Sequence, residues 1–71
     1  YINRGLLRSE LGDKTGARAD FDKAIELDPR YALTYFNRGA LRSELGDNTG
    51  ARVDYDKTIE LDPKFATAYF N

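Results

Sequence analysis

Apolar residues recur along the chain at helical spacing, and the whole pattern of residues 1–34 returns in residues 35–68. Within residues 49–61, apolar or small side chains stand at relative positions i, i+4, i+7 and i+8, which places them on one side of an α-helix. The members of this stripe are Ala51, Tyr55, Thr58 and Ile59, and in the preceding copy Ala17, Phe21, Ala24 and Ile25. The segment 32–45 is apolar around most of its circumference, which predicts a helix packed between neighbours on two sides. The aromatic side chains of the stripe are therefore interpreted as core residues rather than ligand-binding ones.

Glycine and proline divide each copy of the pattern into two helices. The dipeptide Gly-Asp at 46–47 can end one helix and cap the next. The dipeptide Asp-Pro at 62–63 ends the second helix, because proline disfavours helical geometry in the residue before it. Both dipeptides also occur in the preceding copy, at 12–13 and 28–29. Helices are thus predicted over about 32–45 and 49–61, and the fold class is all-α, a stack of antiparallel helix pairs.

The repeat defines the expected organisation of the chain. Residues 1–34 form the first repeat, which starts inside its first helix, and residues 35–68 form the second, with 24 of 34 positions identical. Residues 69–71 repeat residues 35–37 and begin a third copy. Because the chain has no methionine and opens inside the pattern, we expect it to be a natural or engineered excerpt of a longer array.

Composition narrows the classes of function. The 71 residues carry a net charge of −1, which argues against nucleic-acid binding through clustered positive charge. No apolar run approaches the ~18 residues of a membrane span, and no targeting segment is recognisable. The prediction is therefore a soluble chain with no membrane partner and an undetermined compartment. The chain has no cysteine and no histidine, which removes the commonest metal ligands and general bases.

No catalytic or metal-binding constellation emerges from the remaining polar residues. Asp20 and Asp22 are two positions apart, so on a helix their side chains diverge by about 200° and cannot share one ion. The glycine-containing segments 12–16 and 46–50 lack the Gly-Lys-Ser/Thr ending of a phosphate loop. Ser9 has no histidine to activate it. We therefore expect no enzyme activity, no cofactor and no metal.

The period and its small and aromatic positions resemble the tetratricopeptide repeat, a 34-residue helix-turn-helix. The residues that carry the resemblance are Tyr1, Gly5, Ala17, Phe21, Ala24 and Pro29 in the first repeat, and Tyr35, Gly39, Ala51, Tyr55 and Pro63 in the second. Thr58 stands where the second copy would have the second alanine. The resemblance implies an α-α superhelix, or solenoid, whose concave groove is lined by the first helix of each repeat.

Arginines replace two apolar or aromatic positions of the family pattern. Arg38 and Arg42 stand where the family prefers leucine and tyrosine, and Arg4 and Arg8 do so in the first repeat. An i, i+4 pair forms a basic stripe on one side of a helix, and a half-buried guanidinium requires a carboxylate. The predicted partners, on the second helices, are Asp54 and Asp20. One interpretation is a structural ion pair in each repeat, and the alternative is an anion site between stacked arginines.

The resemblance also implies the residues of the groove. These are Leu33, Phe36, Asn37, Ala40, Ser43 and Glu44, together with their counterparts earlier in the chain, Ile2, Asn3, Leu6, Ser9 and Glu10. Asn3, Asn37 and Asn71 occupy the same position in successive copies, and such asparagine ladders hold peptide backbones in some members of the family. A purely structural role for these amides is the alternative. The lysines of the carboxylate-clamp members are missing, so we expect no binding of a terminal carboxylate.

Two functions from different classes follow from this interpretation. The first is a non-catalytic scaffold that binds a peptide or protein partner in the groove. The second is a structural module that forms homo-oligomers by end-to-end stacking of repeats, because each repeat buries its apolar face against a neighbour.

Overall fold

A computed structural model describes residues 2–64 of the chain. These residues form four helices, α1 (Ile2–Glu10), α2 (Lys14–Leu27), α3 (Ala32–Glu44) and α4 (Asn48–Leu61), and contain no strand. Helix α1 packs against α2, α2 against α3, and α3 against α4. The all-helical fold is therefore confirmed, as two consecutive helical hairpins. None of the helices in residues 2–64 has the length and apolar character needed to cross a bilayer.

The helix ends follow the glycine and aspartate positions. Asp13 and Asp47 cap α2 and α4, accepting a hydrogen bond from the backbone N–H three residues later at 3.0 and 2.9 Å. The preceding Gly12 and Gly46 have φ values of +87° and +86°, a left-handed conformation that glycine adopts without the steric cost of a Cβ. Helices α3 and α4 begin and end within one residue of the predicted bounds.

The core lies between the two repeats as well as inside each of them. Ala17, Phe21 and Leu41 form a cluster in which no side chain is more than 2% exposed. Leu41 belongs to α3 and the other two to α2, so the second repeat covers the apolar stripe of the first. This explains why the first helix of the second repeat is apolar on two sides.

A close approach of the helices explains the glycines of α1 and α3, Gly5 and Gly39. A Cβ added to Gly5 would lie 2.8 Å from the Phe21 ring, and one added to Gly39 would lie 2.9 Å from the Tyr55 ring. In each repeat, the aromatic residue of the second helix therefore packs directly on the glycine of the first. Larger side chains at these positions force the helices apart.

One part of the predicted apolar stripe is wrong for the second repeat. Ile59 is 44% exposed, although the helical wheel places it beside Thr58, which is fully buried. Its counterpart Ile25 is half-buried, because α2 has α3 packed against it. The periodicity identified the face of the helix but not how far the neighbouring helix covers it.

Candidate functional site

The arginines of the second repeat converge on one buried carboxylate. Arg38 donates to Asp54 from Nε at 2.9 Å and from Nη2 at 2.7 Å. The Nη1 of Arg42 lies 3.2 Å from Oδ2 of the same carboxylate, the oxygen that also accepts from Nε of Arg38. The Asp54 side chain is 1% exposed and each arginine side chain 16%. A planar guanidinium that donates two hydrogen bonds to a carboxylate fixes both the distance and the rotation between α3 and α4.

The first repeat contains the same arrangement with more solvent around it. Arg4 donates to Oδ1 and Oδ2 of Asp20 from Nε at 3.0 and 3.1 Å and to Oδ1 from Nη2 at 2.6 Å, and the Nη1 of Arg8 lies 3.3 Å from Oδ2. The Asp20 side chain is 3% exposed, whereas that of Arg4 is 54% exposed. The hydrogen bonds from Arg4 lower the pKa of Asp20 below its ordinary value, against the opposing effect of burial.

Acidification should therefore remove a stabilising interaction from the first repeat. The pKa of Asp20 is lower in the folded chain than its ordinary value of 3.8, which applies to the unfolded chain. The ionised carboxylate therefore stabilises the fold at pH values above 3.8. This stabilisation disappears as the pH falls through the pKa of the folded chain. The melting temperature followed by circular dichroism should decrease over the acid interval below about pH 4. Asp20→Asn should melt lower at pH 7 but lose less over that interval, whereas Asp28→Asn, at an exposed carboxylate, should follow the unmodified chain. Parallel acid curves for all three proteins would contradict the assignment.

Arg38 also crosses the boundary between the repeats. Its Nη1 donates to Asp22 of α2 at 2.9 Å, so each of its three nitrogens faces a carboxylate oxygen. These two aspartates raise the pKa of Arg38 above its ordinary value, the Asp54 hydrogen bonds contributing most. With its nitrogens engaged in this way, the guanidinium is arranged for ion pairing inside the protein rather than for an external anion.

Sequence reasoning missed Asp22 as an ion-pair residue. The one observation that could have identified it is that the side chains of Asp20 and Asp22 point in different directions from α2, which the sequence analysis used to exclude a shared metal ion. The same divergence lets one carboxylate bind Arg4 within the repeat and the other bind Arg38 of the next repeat. Within residues 2–64, no group of three or more acidic side chains is placed to hold a metal ion.

Two further contacts join the repeats. The hydroxyl of Tyr35 donates to the backbone carbonyl of Pro29 at 2.9 Å. The Nζ of Lys14 lies 3.5 Å from Oε2 of Glu44, an acid that the resemblance places in the groove. The tyrosine bond is partly buried and Tyr35 itself is 8% exposed, whereas the lysine pair is half-exposed and therefore contributes less.

The first helices of the two repeats border an open cavity of about 420 Å³. Three of its lining residues, Ile2, Asn3 and Leu33, were predicted groove residues. The others are Ala24, which was assigned to repeat packing, and Leu27 and Tyr31, which sequence reasoning missed. Leu27 is 62% exposed and Tyr31 47% exposed, so the cavity has an apolar, solvent-facing rim. We call this surface the α1–α3 groove.

The remaining predicted groove residues differ in accessibility. Phe36 and Ala40 are half-buried, and the Phe36 ring packs against Tyr55 with the ring centroids 5.8 Å apart. Ser43 and Glu44 are exposed. The Nδ2 atom of Asn37 is buried and has no hydrogen-bond partner. Tyr1 and Asn71, the end members of the packing and ladder sets, lie outside the described residues.

Comparison with protein families gives two overlapping matches. A family model described as "TPR repeat" matches residues 5–46, and one described as "Tetratricopeptide repeat" matches residues 32–65. The first match spans more than half of the 71 residues. A search of curated proteins found no match to the chain.

Proposed function

Because the chain belongs to the tetratricopeptide repeat family, whose repeats generally act as non-catalytic scaffolds for protein–protein interaction, we propose that it binds a peptide or protein partner in the α1–α3 groove. The observation that carries this proposal is the open cavity of about 420 Å³ between the first helices. Its size is within the range of about 300–1,000 Å³ typical of ligand pockets. The partner is proposed by its chemistry, as an extended segment with an apolar side chain.

The lining of the groove supports an apolar anchor. Leu27 and Tyr31 together leave apolar surface in solvent at the cavity rim, and a contiguous exposed apolar patch is a common feature of protein-interaction sites. Tyrosine adds a rigid ring with a polar tip, a combination that is enriched at interfaces. An aliphatic or aromatic side chain of the partner would remove this surface from water.

The side-chain amides of the groove are proposed to form hydrogen bonds with the backbone of the partner. Asn3 is exposed and lines the cavity, so it can both donate to and accept from the backbone of a bound segment. Asn37 is less available, because its Nδ2 is buried in the observed conformation. In this proposal Asn3 makes the first backbone contact, and Asn37 contributes its donor only after rotation about its Cβ–Cγ bond.

The test is selection of a peptide from a random display library, followed by affinity measurements with the selected peptide. Leu27→Glu should weaken its binding by about tenfold or more, because a carboxylate at the rim opposes burial of an apolar side chain. The matched control is Val53→Glu, which makes the same kind of change at a 59% exposed residue outside the cavity and should leave the affinity unchanged. Equal affinities for both variants, or failure to select any peptide, would contradict the proposal.

A second candidate function, end-to-end stacking into homo-oligomers, is favoured by a different observation. Leu41 in the second repeat is 2% exposed, but the equivalent Leu7 in the first repeat is 55% exposed. The two residues occupy the same position in nearly identical helices, and among residues 2–64 it is Leu41 that has another repeat packed against it. The N-terminal end of the described chain therefore presents one half of a repeat–repeat interface.

A further inference from the structure

We propose that the contact between Arg38 and Asp22 is a salt-sensitive latch, which holds the two helical hairpins in one relative orientation and releases them at high ionic strength. The hairpins are α1–α2 and α3–α4. Because α1 and α3 belong to different hairpins, their relative orientation also sets the width of the α1–α3 groove. The latch lies at the internal boundary between the repeats, so it depends neither on peptide binding in the groove nor on stacking of copies.

A ridge of α3 runs along the boundary with the first hairpin. Its members are spaced by three residues, a row of side chains that packs into the grooves of a neighbouring helix. In chain order they are Tyr35, Arg38, Leu41 and Glu44, and their partners are Pro29, Asp22, the pair Ala17 and Phe21, and Lys14. The apolar contact is buried, whereas solvent reaches the charged contacts on either side of it. The boundary therefore combines a dry apolar contact with partly exposed ion pairs.

The two sides of the Arg38 guanidinium are held with different strength. Toward its own hairpin, Nε and Nη2 donate to the two oxygens of Asp54, whose side chain is 1% exposed. The guanidinium carbon also lies 5.8 Å from the centre of the Tyr35 ring, within the range of a cation–π contact. Toward the other hairpin, Nη1 donates a single hydrogen bond to Asp22, whose side chain is 50% exposed. Because bidentate pairs are stronger than exposed single contacts, Asp22 is the partner that separates first.

Release of Asp22 leaves no buried charge without a partner. Arg38 keeps its two hydrogen bonds to Asp54, and Asp22 exchanges the guanidinium for water at a half-exposed position. Breaking a buried pair is costly because one charge stays buried and uncompensated, and that cost is avoided here. The held and released orientations are therefore close in free energy, and the Arg38–Asp22 bond decides between them.

Dissolved salt weakens the charged contacts of the boundary and spares the apolar one. Screening acts most on pairs that solvent reaches, which here are Arg38–Asp22 and Lys14–Glu44. The Arg38–Asp54 pair is screened much less, because its carboxylate is buried. The buried apolar cluster of the boundary carries no charge and keeps the hairpins together. At high ionic strength the hairpins therefore stay folded and in contact, but their relative orientation is no longer fixed.

The test measures the distance between the hairpins with a pair of spin labels. The chain has no native cysteine, so Arg18→Cys on α2 and Arg52→Cys on α4 introduce the label sites at exposed, equivalent positions. Pulsed electron paramagnetic resonance should give a narrow distance distribution in dilute buffer and a wider one in about 1 M salt. Asp22→Ala should widen the distribution already in dilute buffer. Loss of a partly exposed pair should lower the ratio of held to released orientations by about twofold to fivefold.

Glu26→Ala is the matched control for this substitution. It also introduces alanine into α2 and removes one negative charge, but Glu26 is 70% exposed and pairs with Lys23 of the same helix. Its distance distribution should equal that of the labelled chain with both acids intact, in dilute buffer and in salt. Circular dichroism should show the same helix content for every variant at both ionic strengths, which separates release of the hairpins from unfolding.

Different results would overturn the latch for different reasons. A distribution that Asp22→Ala leaves as narrow as the control would mean that the apolar cluster alone fixes the orientation. A distribution that stays narrow in about 1 M salt while Asp22 is present would mean that the contact does not respond to ionic strength. Widening that is accompanied by loss of helix content would mean that the boundary unfolds rather than reorients.

Discussion

Asp54→Ala is expected to cost about 3–5 kcal/mol of folding free energy, because it leaves two largely buried arginines without their shared carboxylate. The carboxylate accepts two hydrogen bonds from Arg38 and lies 3.2 Å from Arg42. A chain of this size has a total stability of about 4–11 kcal/mol at typical values per residue. The loss is therefore a large share of the whole, and urea denaturation at pH 7 measures it directly.

The matched control for this substitution is Glu60→Ala. Glu60 lies on the same helix, is 70% exposed and is 3.6 Å from Lys57, so its removal should cost less than about 0.5 kcal/mol. The effect of Asp54→Ala should persist in about 1 M salt, because buried pairs are screened far less than exposed ones. A cost below about 0.5 kcal/mol, or one that disappears in salt, would place the pair among weak surface interactions.

Phe21→Ala is expected to cost about 3–5 kcal/mol, because it opens a cavity that both repeats share. The Phe21 ring is 1% exposed, packs over Gly5 and clusters with Ala17 and Leu41. Its loss removes contacts within the first repeat and across the boundary to the second. Chemical denaturation should show a reduced midpoint, and the second repeat should lose protection in amide hydrogen exchange together with the first.

Tyr55→Ala provides the comparison for the phenylalanine. Tyr55 occupies the same position in the second repeat, but it is only half-buried within the described residues. We expect its replacement to cost about 1–2 kcal/mol in dilute solution, in proportion to the smaller area removed from water. Equal losses for the two variants would mean that the repeat boundary contributes little to the burial of Phe21.

The helix bounds were predictable because their determinants are local in sequence. Gly46 adopts a positive φ, Asp47 caps the next helix, and the helix before proline ends at Leu61. Each of these effects acts within a few residues, so a single chain is enough to place them. The pairing of Arg38 and Arg42 with Asp54 was also predictable, because it depends only on which faces of α3 and α4 are turned toward each other within one hairpin.

The role of Asp22 was not predictable from spacing. Arg38 lies 16 residues after Asp22 and 16 residues before Asp54, and it binds both. Sequence distance therefore cannot separate a partner within the repeat from one in the preceding repeat. Only the packing of α3 against both α2 and α4 shows that one guanidinium serves the two contacts.

The contributions of Leu27 and Tyr31 to the groove were hidden for a similar reason. Both follow the apolar stripe of α2 and precede the groove-lining positions of α3. A helical wheel describes one helix at a time, whereas the cavity is formed by α1, the end of α2 and the start of α3. Its lining could be identified only when the three elements were placed in space.

The bridging arginine has a consequence for how such an array can change its length by gene duplication. Every copy of the repeat brings the arginine for the repeat before it and the aspartate for the repeat after it. An inserted copy therefore finds a matching residue on both sides without any compensating mutation, and a deleted copy leaves none unmatched. Whole repeats can be gained or lost in one genetic step, whereas a shorter insertion would shift every contact that follows it.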